Sequence, residues 1–154
     1  MQKSLKQVKQ EFIADTLKRP ANKSANKVIL NLIDLVNNDN ATITADSSKG
    51  GNIASRGVVA ECLIKLFYKQ TKSAKWSPNG SDMTLNGEKW EIKCSTSKGY
   101  AHYNPNQKIN NLIFVNQYGI FETRNGQDVI ILDKCKKHIQ SIKITKDVKQ
   151  VVAF

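Results

Sequence analysis

Asp82, Glu91 and Lys93 are residue types suited to metal and phosphate chemistry, and they lie on either side of Asn86-Gly87. That dipeptide favours a type I′ turn, in which both central residues need φ > 0. Folding the chain about it sets Leu85 opposite Glu88, Thr84 opposite Lys89, Met83 opposite Trp90 and Asp82 opposite Glu91. Directly opposed residues share a face, so two carboxylates come together with Cβ atoms roughly 5 Å apart. Lys93, two residues beyond Glu91, joins that face, whereas Met83, Trp90, Ile92 and Cys94 fall on the other. Like charges set opposite each other destabilise a sheet unless a cation sits between them, so the pattern suggests a metal site.

A further acid, Glu61, falls within a helix expected over residues 53–70. The apolar stripe of this helix runs through Ile53, Gly57, Ala60, Ile64 and Phe67, with Glu61 at its edge. Gly57 is expected to let the helix approach a neighbour closely. The plain reading of Glu61 alone is a solvated residue paired with Lys65 at i+4. Upstream, Leu5, Val8, Phe12, Ile13 and Leu17 predict an amphipathic helix over 3–18, ended by Arg19-Pro20. A second helix is expected from Ser24, a plausible N-cap, to the stop at Asn37-Asn38-Asp39-Asn40. These N-terminal helices carry no convergent chemistry. A DNA-recognition arm and a dimerisation element are open to them, and cover for the core is the preferred expectation.

After the hairpin, residues 95–108 read as a polar, aromatic loop leaving the strand that bears Glu91 and Lys93. Its Lys98, Tyr100, His102, Asn104, Gln107 and Lys108 suit phosphate and base-edge contacts. Strands are expected over 112–115 and 119–124, with Asn125-Gly126 turning a second hairpin into 129–132. A short basic helix is expected over 133–140, where Cys135 and His138 at i, i+3 make a weak pair of zinc ligands. The order of helices, a meander of about five strands and a short helix predicts an α/β or α+β core with the sheet in the middle.

Composition limits the partners. At 154 residues the chain is long enough for one real core, and 40% hydrophobic residues with 24% charged is a globular balance. Twenty-four Lys and Arg against 13 Asp and Glu give a net charge of +11, which favours a polyanion, most often nucleic acid. Three widely spaced cysteines without a Cys-x-x-Cys pair read as thiols in a reducing compartment. No run approaches a membrane span, and residues 1–18 lack the apolar core of a signal peptide, so the expected location is cytoplasmic, with no membrane partner.

Taken in chain order, Glu61 on a helix, Asp82 opening a strand and Glu91-Ile92-Lys93 on its hairpin partner resemble the PD-(D/E)xK nuclease superfamily. The resemblance covers about residues 53–118. Arg56-Gly57-Val58-Val59-Ala60-Glu61 is similar to the first helix of archaeal-type Holliday-junction resolvases. Gly80-Ser81-Asp82, Trp90-Glu91-Ile92-Lys93 and Lys98-Gly99-Tyr100 look like the active-site hairpin and following loop of small type II restriction enzymes. Ser81 stands where the motif has proline, and the first fifty residues match neither subfamily.

The resemblance implies a restriction-endonuclease-like core over 51–154, a central mixed sheet of about five strands flanked by helices. Residues 1–50 would form an N-terminal helical extension, the whole making one compact domain. It implies a Mg²⁺-dependent DNA endonuclease of restriction or phage type, with Mn²⁺ as a substitute. A Holliday-junction resolvase of the same fold and a non-catalytic basic DNA-binding module are the alternatives. Asp82, Glu91, the Ile92 carbonyl and, as an outer ligand, Glu61 would hold the metal, a hard cation that takes oxygen ligands. Lys93 would position water or neutralise charge, because a protonated lysine is a poor base. One such site cuts one strand, so a homodimer is expected.

Overall fold

The computed structural model describes residues 2–19, 23–44, 56–72, 75–76, 82–94, 100–103, 111–124, 129–136, 139–144 and 148–154. The expected loop at 47–52, Ile53, Asn125-Gly126 and His138 lie outside the described residues. Among the described residues three helices and eleven strands form two compact units, Met1–Ala74 and Lys75–Phe154. The architecture is α/β with a mixed sheet.

In the N-terminal unit, β1 (Gln2–Ser4) pairs antiparallel with β2 (Thr42–Thr44). Ser4 then caps α1 (Leu5–Lys18) through a capping box, its hydroxyl accepting from the Gln7 N–H while the Gln7 side chain accepts from the Ser4 N–H. Helix α2 (Lys23–Val36) begins one residue before the expected cap, so Ser24 lies inside it. It stops at Asn37, which takes φ 37°, a left-handed conformation that asparagine tolerates at a helix end. Val28, Ile29, Leu32, Ile33 and Val36 bury the inward face of α2. Each such side chain contributes roughly 1.5–3 kcal/mol relative to exposure.

Helix α3 (Arg56–Lys72) packs against α2 and β2. Val59 through Tyr68 are all buried, so the helix is enclosed around its whole circumference and not along one stripe. Gly57 is exposed, and a Cβ added there would meet nothing within 4 Å among the described residues. It therefore does not serve the close approach expected of it. Arg56 instead ties the start of α3 to the other helices, donating to the buried Asn26 Oδ1 and pairing with Asp15.

In the C-terminal unit a six-stranded sheet has the order β11-β8-β7-β5-β4-β3, its outermost member being the two-residue β3 (Lys75–Trp76). Strands β4 (Met83–Leu85) and β5 (Glu88–Cys94) form the hairpin. Strand β7 (Asn111–Asn116) runs parallel to β5 and antiparallel to β8 (Gly119–Arg124). All six residues of β7 are buried, as its unbroken apolar run requires of a central strand. Strand β11 (Lys149–Ala153) closes the sheet beside β8.

The second expected hairpin is not formed, because the partners of β8 are β7 and β11. Nor is there a helix over 133–140: β9 (Val129–Lys136) and β10 (Ile139–Ile144) pair antiparallel instead. Cys135 thus sits in a strand, and His138 lies outside the described residues. With β6 (Tyr100–Tyr103), these strands make a separate three-stranded sheet of order β6-β10-β9. Tyr100 to Tyr103 are therefore strand and not loop. Among the described residues no helix is long and apolar enough to cross a membrane.

Candidate metal and phosphate site

The turn takes the expected form. Asn86 has φ 53° and Gly87 φ 79°, positive at both central positions. Met83 pairs with Trp90, Thr84 with Lys89 and Leu85 with Glu88, the register the turn predicts. Burial follows it. Met83, Leu85, Trp90 and Ile92 are buried, while Thr84, Glu91 and Lys93 on the opposite face are half-buried. Cys94, expected on the apolar face, is exposed at the strand's end.

Asp82 lies just before β4 and is held by β5 at two points. Its N–H donates to the Trp90 carbonyl at 3.2 Å, and its Oδ2 accepts from the Ile92 N–H at 2.8 Å. These two bonds reach the backbone on either side of Glu91, one residue beyond the end of the ladder at Met83 and Trp90.

Strand β5 changes partner at this point. Glu88–Trp90 pair with β4 on one edge, and Glu91–Cys94 pair with β7 on the other. Each half of β5 thus has one edge beyond its ladder, and a side chain bonds the backbone there. The Asp82 carboxylate takes the Ile92 N–H, and Asn111 Nδ2 donates to the Lys89 carbonyl at 3.2 Å. A strand residue directs its N–H and C=O to the same edge, so the Ile92 carbonyl also points to the side occupied by Asp82. The Asp82 carboxylate and the Ile92 carbonyl thus lie on one edge of β5, with the half-buried Glu91 next to Ile92 in the strand.

The donor set fits a hard divalent cation, for which one or two carboxylates with waters and a phosphate oxygen are the usual ligands. Among the described residues no group of three or more His, Cys, Asp or Glu side chains is placed to hold a metal ion. Asp82, Glu91 and Lys93 all belong to the C-terminal unit.

Glu61 belongs to the N-terminal unit. Its Oε1 lies 2.9 Å from Lys65 Nζ, the i, i+4 partner expected, but the two side chains are only 8% and 6% exposed. The pair is therefore not solvated. Burying two charges costs several kcal/mol per ion before their attraction offsets it, an unusual arrangement in a helix that is otherwise apolar at its centre.

Of the residues expected to contact DNA, Tyr100 and His102 lie two apart in β6. Lys98, Asn104, Gln107 and Lys108 lie outside the described residues. Asn111 had no functional expectation attached to it. The signal was an amide at the head of the apolar run Leu112-Ile113-Phe114-Val115. Trp90, at 1% exposure, underlies the site, with the Arg124 guanidinium 5.3 Å from its ring centroid and ion-paired to Glu88. No family model, no curated protein and no solved structure matches the chain.

Proposed function

We propose that the chain is a Mg²⁺-dependent DNA endonuclease of the PD-(D/E)xK type, with a restriction-endonuclease-like core and a restriction or phage-type role. The observation that carries this reading is the bracketing of Glu91 by the two bonds from Asp82 to β5. It supports the reading by tying Asp82 to the backbone on both sides of Glu91, with Glu91 and Lys93 both half-buried at alternate positions of β5.

In this reading Asp82, Glu91 and the Ile92 carbonyl would hold the metal. Bound Mg²⁺ supplies a positive charge for the phosphoryl oxygens and makes a coordinated water more acidic. Lys93 holds the attacking water in line or neutralises charge gathering on the phosphate. The buried Trp90 and Ile92 behind the site keep β5 rigid, so the reacting groups are fixed in advance. A homodimer would supply the second site needed to cut both strands.

The test is incubation of the full chain with supercoiled plasmid and Mg²⁺, beside EDTA and Asp82→Ala controls. Cleavage lost in both controls supports the proposal, and cleavage that survives Asp82→Ala refutes the site. Discrete fragments indicate a restriction-type enzyme, whereas preference for a synthetic four-way junction indicates the resolvase alternative. The net charge of +11 favours a second reading, a basic DNA-binding module without catalysis. Binding without cleavage in any divalent metal would establish that instead.

A further inference from the structure

Helix α1 leaves part of its apolar surface uncovered. Leu5, Val8 and Phe12 are buried, but Ile13 and Leu17 are 46% and 81% exposed. They are two of the three large apolar side chains exposed among the described residues. A single exposed leucine needs no explanation, but these two share a stripe. Lys6, Gln10, Ile13 and Leu17 follow one another at steps of four, three and four along α1, and all are exposed.

Beside the first half of that stripe, α1 and the end of α2 flank a groove of about 230 Å³. Leu5, Ile13 and Ile33 supply its apolar lining, and Lys6, Lys9, Asp34 and Asp39 its charges. Lys9 is ion-paired with Asp34. Small-molecule pockets usually hold about 300–1,000 Å³, so the space suits inserted side chains better than a ligand. Two lysines against two aspartates leave the groove without net charge, in a chain of +11. A neutral groove offers a polyanion little, and another protein surface fits it better.

The charges along the stripe have a direction. The turn carrying Asp39 lies against the start of α1, where the Leu5 N–H donates to the Ala41 carbonyl at 3.2 Å. The other end of α1 carries the exposed Lys18 and Arg19. A second copy laid antiparallel on the first brings the basic end of each α1 to the acidic end of the other's groove. With the two-fold axis at Ile13, Leu17 falls opposite Lys9 of the second copy, at the level of the groove. Each leucine then enters the other copy's groove, and Ile13 packs on Ile13. The surface is its own complement, as an isologous two-fold interface requires.

We propose that the face of α1 bearing Ile13 and Leu17, with the groove beside it, joins two copies of this chain in an antiparallel α1–α1 dimer. The inference rests on the endonuclease reading only for the use of a second active site. The interface itself lies in the N-terminal unit and needs no catalysis.

The experiment is sedimentation velocity of the full chain across a concentration series in EDTA, with plasmid cleavage in Mg²⁺ followed separately. The wild type is expected to pass from monomer to dimer as concentration rises. Ile13→Glu/Leu17→Glu should weaken association by about tenfold or more, with an unchanged circular dichroism spectrum. Tyr118→Glu, at an exposed residue of the other unit, should leave association unchanged. Lys18→Glu and Asp39→Lys should each weaken the dimer, and the two together should restore it. A chain that stays monomeric at every concentration would overturn the proposal and leave the groove to another segment or a different protein. So would a dimer that Ile13→Glu/Leu17→Glu leaves intact, or a charge swap that restores nothing. A dimer that cleaves no DNA keeps the interface and removes the endonuclease, and a monomer that cleaves does the reverse.

Discussion

The carboxylate of Asp82 accepts a hydrogen bond from the backbone N–H of Ile92 at 2.8 Å, across the edge of β5 that β4 no longer covers. The same group is thus a structural cap and, in the proposed reaction, a metal ligand. These roles separate by substitution. Asp82→Asn keeps an acceptor for the N–H and should melt close to the wild type while cleavage is lost. Asp82→Ala removes the acceptor as well and should cost about 1–3 kcal/mol, read by chemical denaturation. Equal stability of the two variants would show that the cap is energetically idle.

Glu61 and Lys65 form a buried pair, so removing one member leaves the other charge in a poor environment. Glu61→Ala should destabilise the chain by about 3–5 kcal/mol, while Glu61→Met/Lys65→Met should cost much less. Urea denaturation checks both. Cleavage by Glu61→Gln, in a protein that remains folded, tests whether Glu61 has any role beyond this pair. Unchanged cleavage would leave Glu61 a purely structural residue.

Glycines separate backbone strain from packing. Gly87 has φ 79° with open space around it, so Gly87→Ala should cost about 1–2 kcal/mol through the backbone alone. Gly57 lies in a helix with equally open space, and Gly57→Ala should raise stability by up to about 1 kcal/mol. Opposite signs in thermal melts are the expected result.

Gly119 is constrained on both counts. It has φ 148°, and a Cβ there would lie 1.9 Å from the Val152 carbonyl oxygen. Gly119→Ala should therefore push β11 from β8 and cost well over the roughly 1 kcal/mol of a simple glycine replacement. Faster amide exchange over 149–153 would locate the damage at that edge.

The hairpin was legible in the sequence because its determinants are local. Asn86-Gly87 accepts the positive φ values, and alternation then assigns every side chain to a face. The N-terminal helices were legible for the same reason, with Asn37 ending α2 as expected. Strands β9 and β10 were not, since the charged stretch 133–140 fits a helical period as well as a strand, and pairing with β6 decides between them. The turn at Gln117-Tyr118 was missed although its marks were present. Asn116 accepts the Tyr118 N–H at 2.8 Å, and Gly119 follows as the residue the crowded β8–β11 edge demands. The change of partner along β5 had no local signal. It depends on where β7 arrives, and strand pairing at a distance leaves no mark on the residues being paired.

That change of partner also orders events in time. The half of β5 joined to β4 closes through a two-residue turn, a process that takes about 1–10 μs in isolated hairpins. The half joined to β7 is a parallel pairing, which waits for residues 95–110 to cross back and pays the entropy of that longer loop. The β4–β5 ribbon can therefore form early, before the sheet that fixes Glu91 and Lys93 in place. In the proposed reading, a cation bridging Asp82 and Glu91 would then act on folding as well as on cleavage.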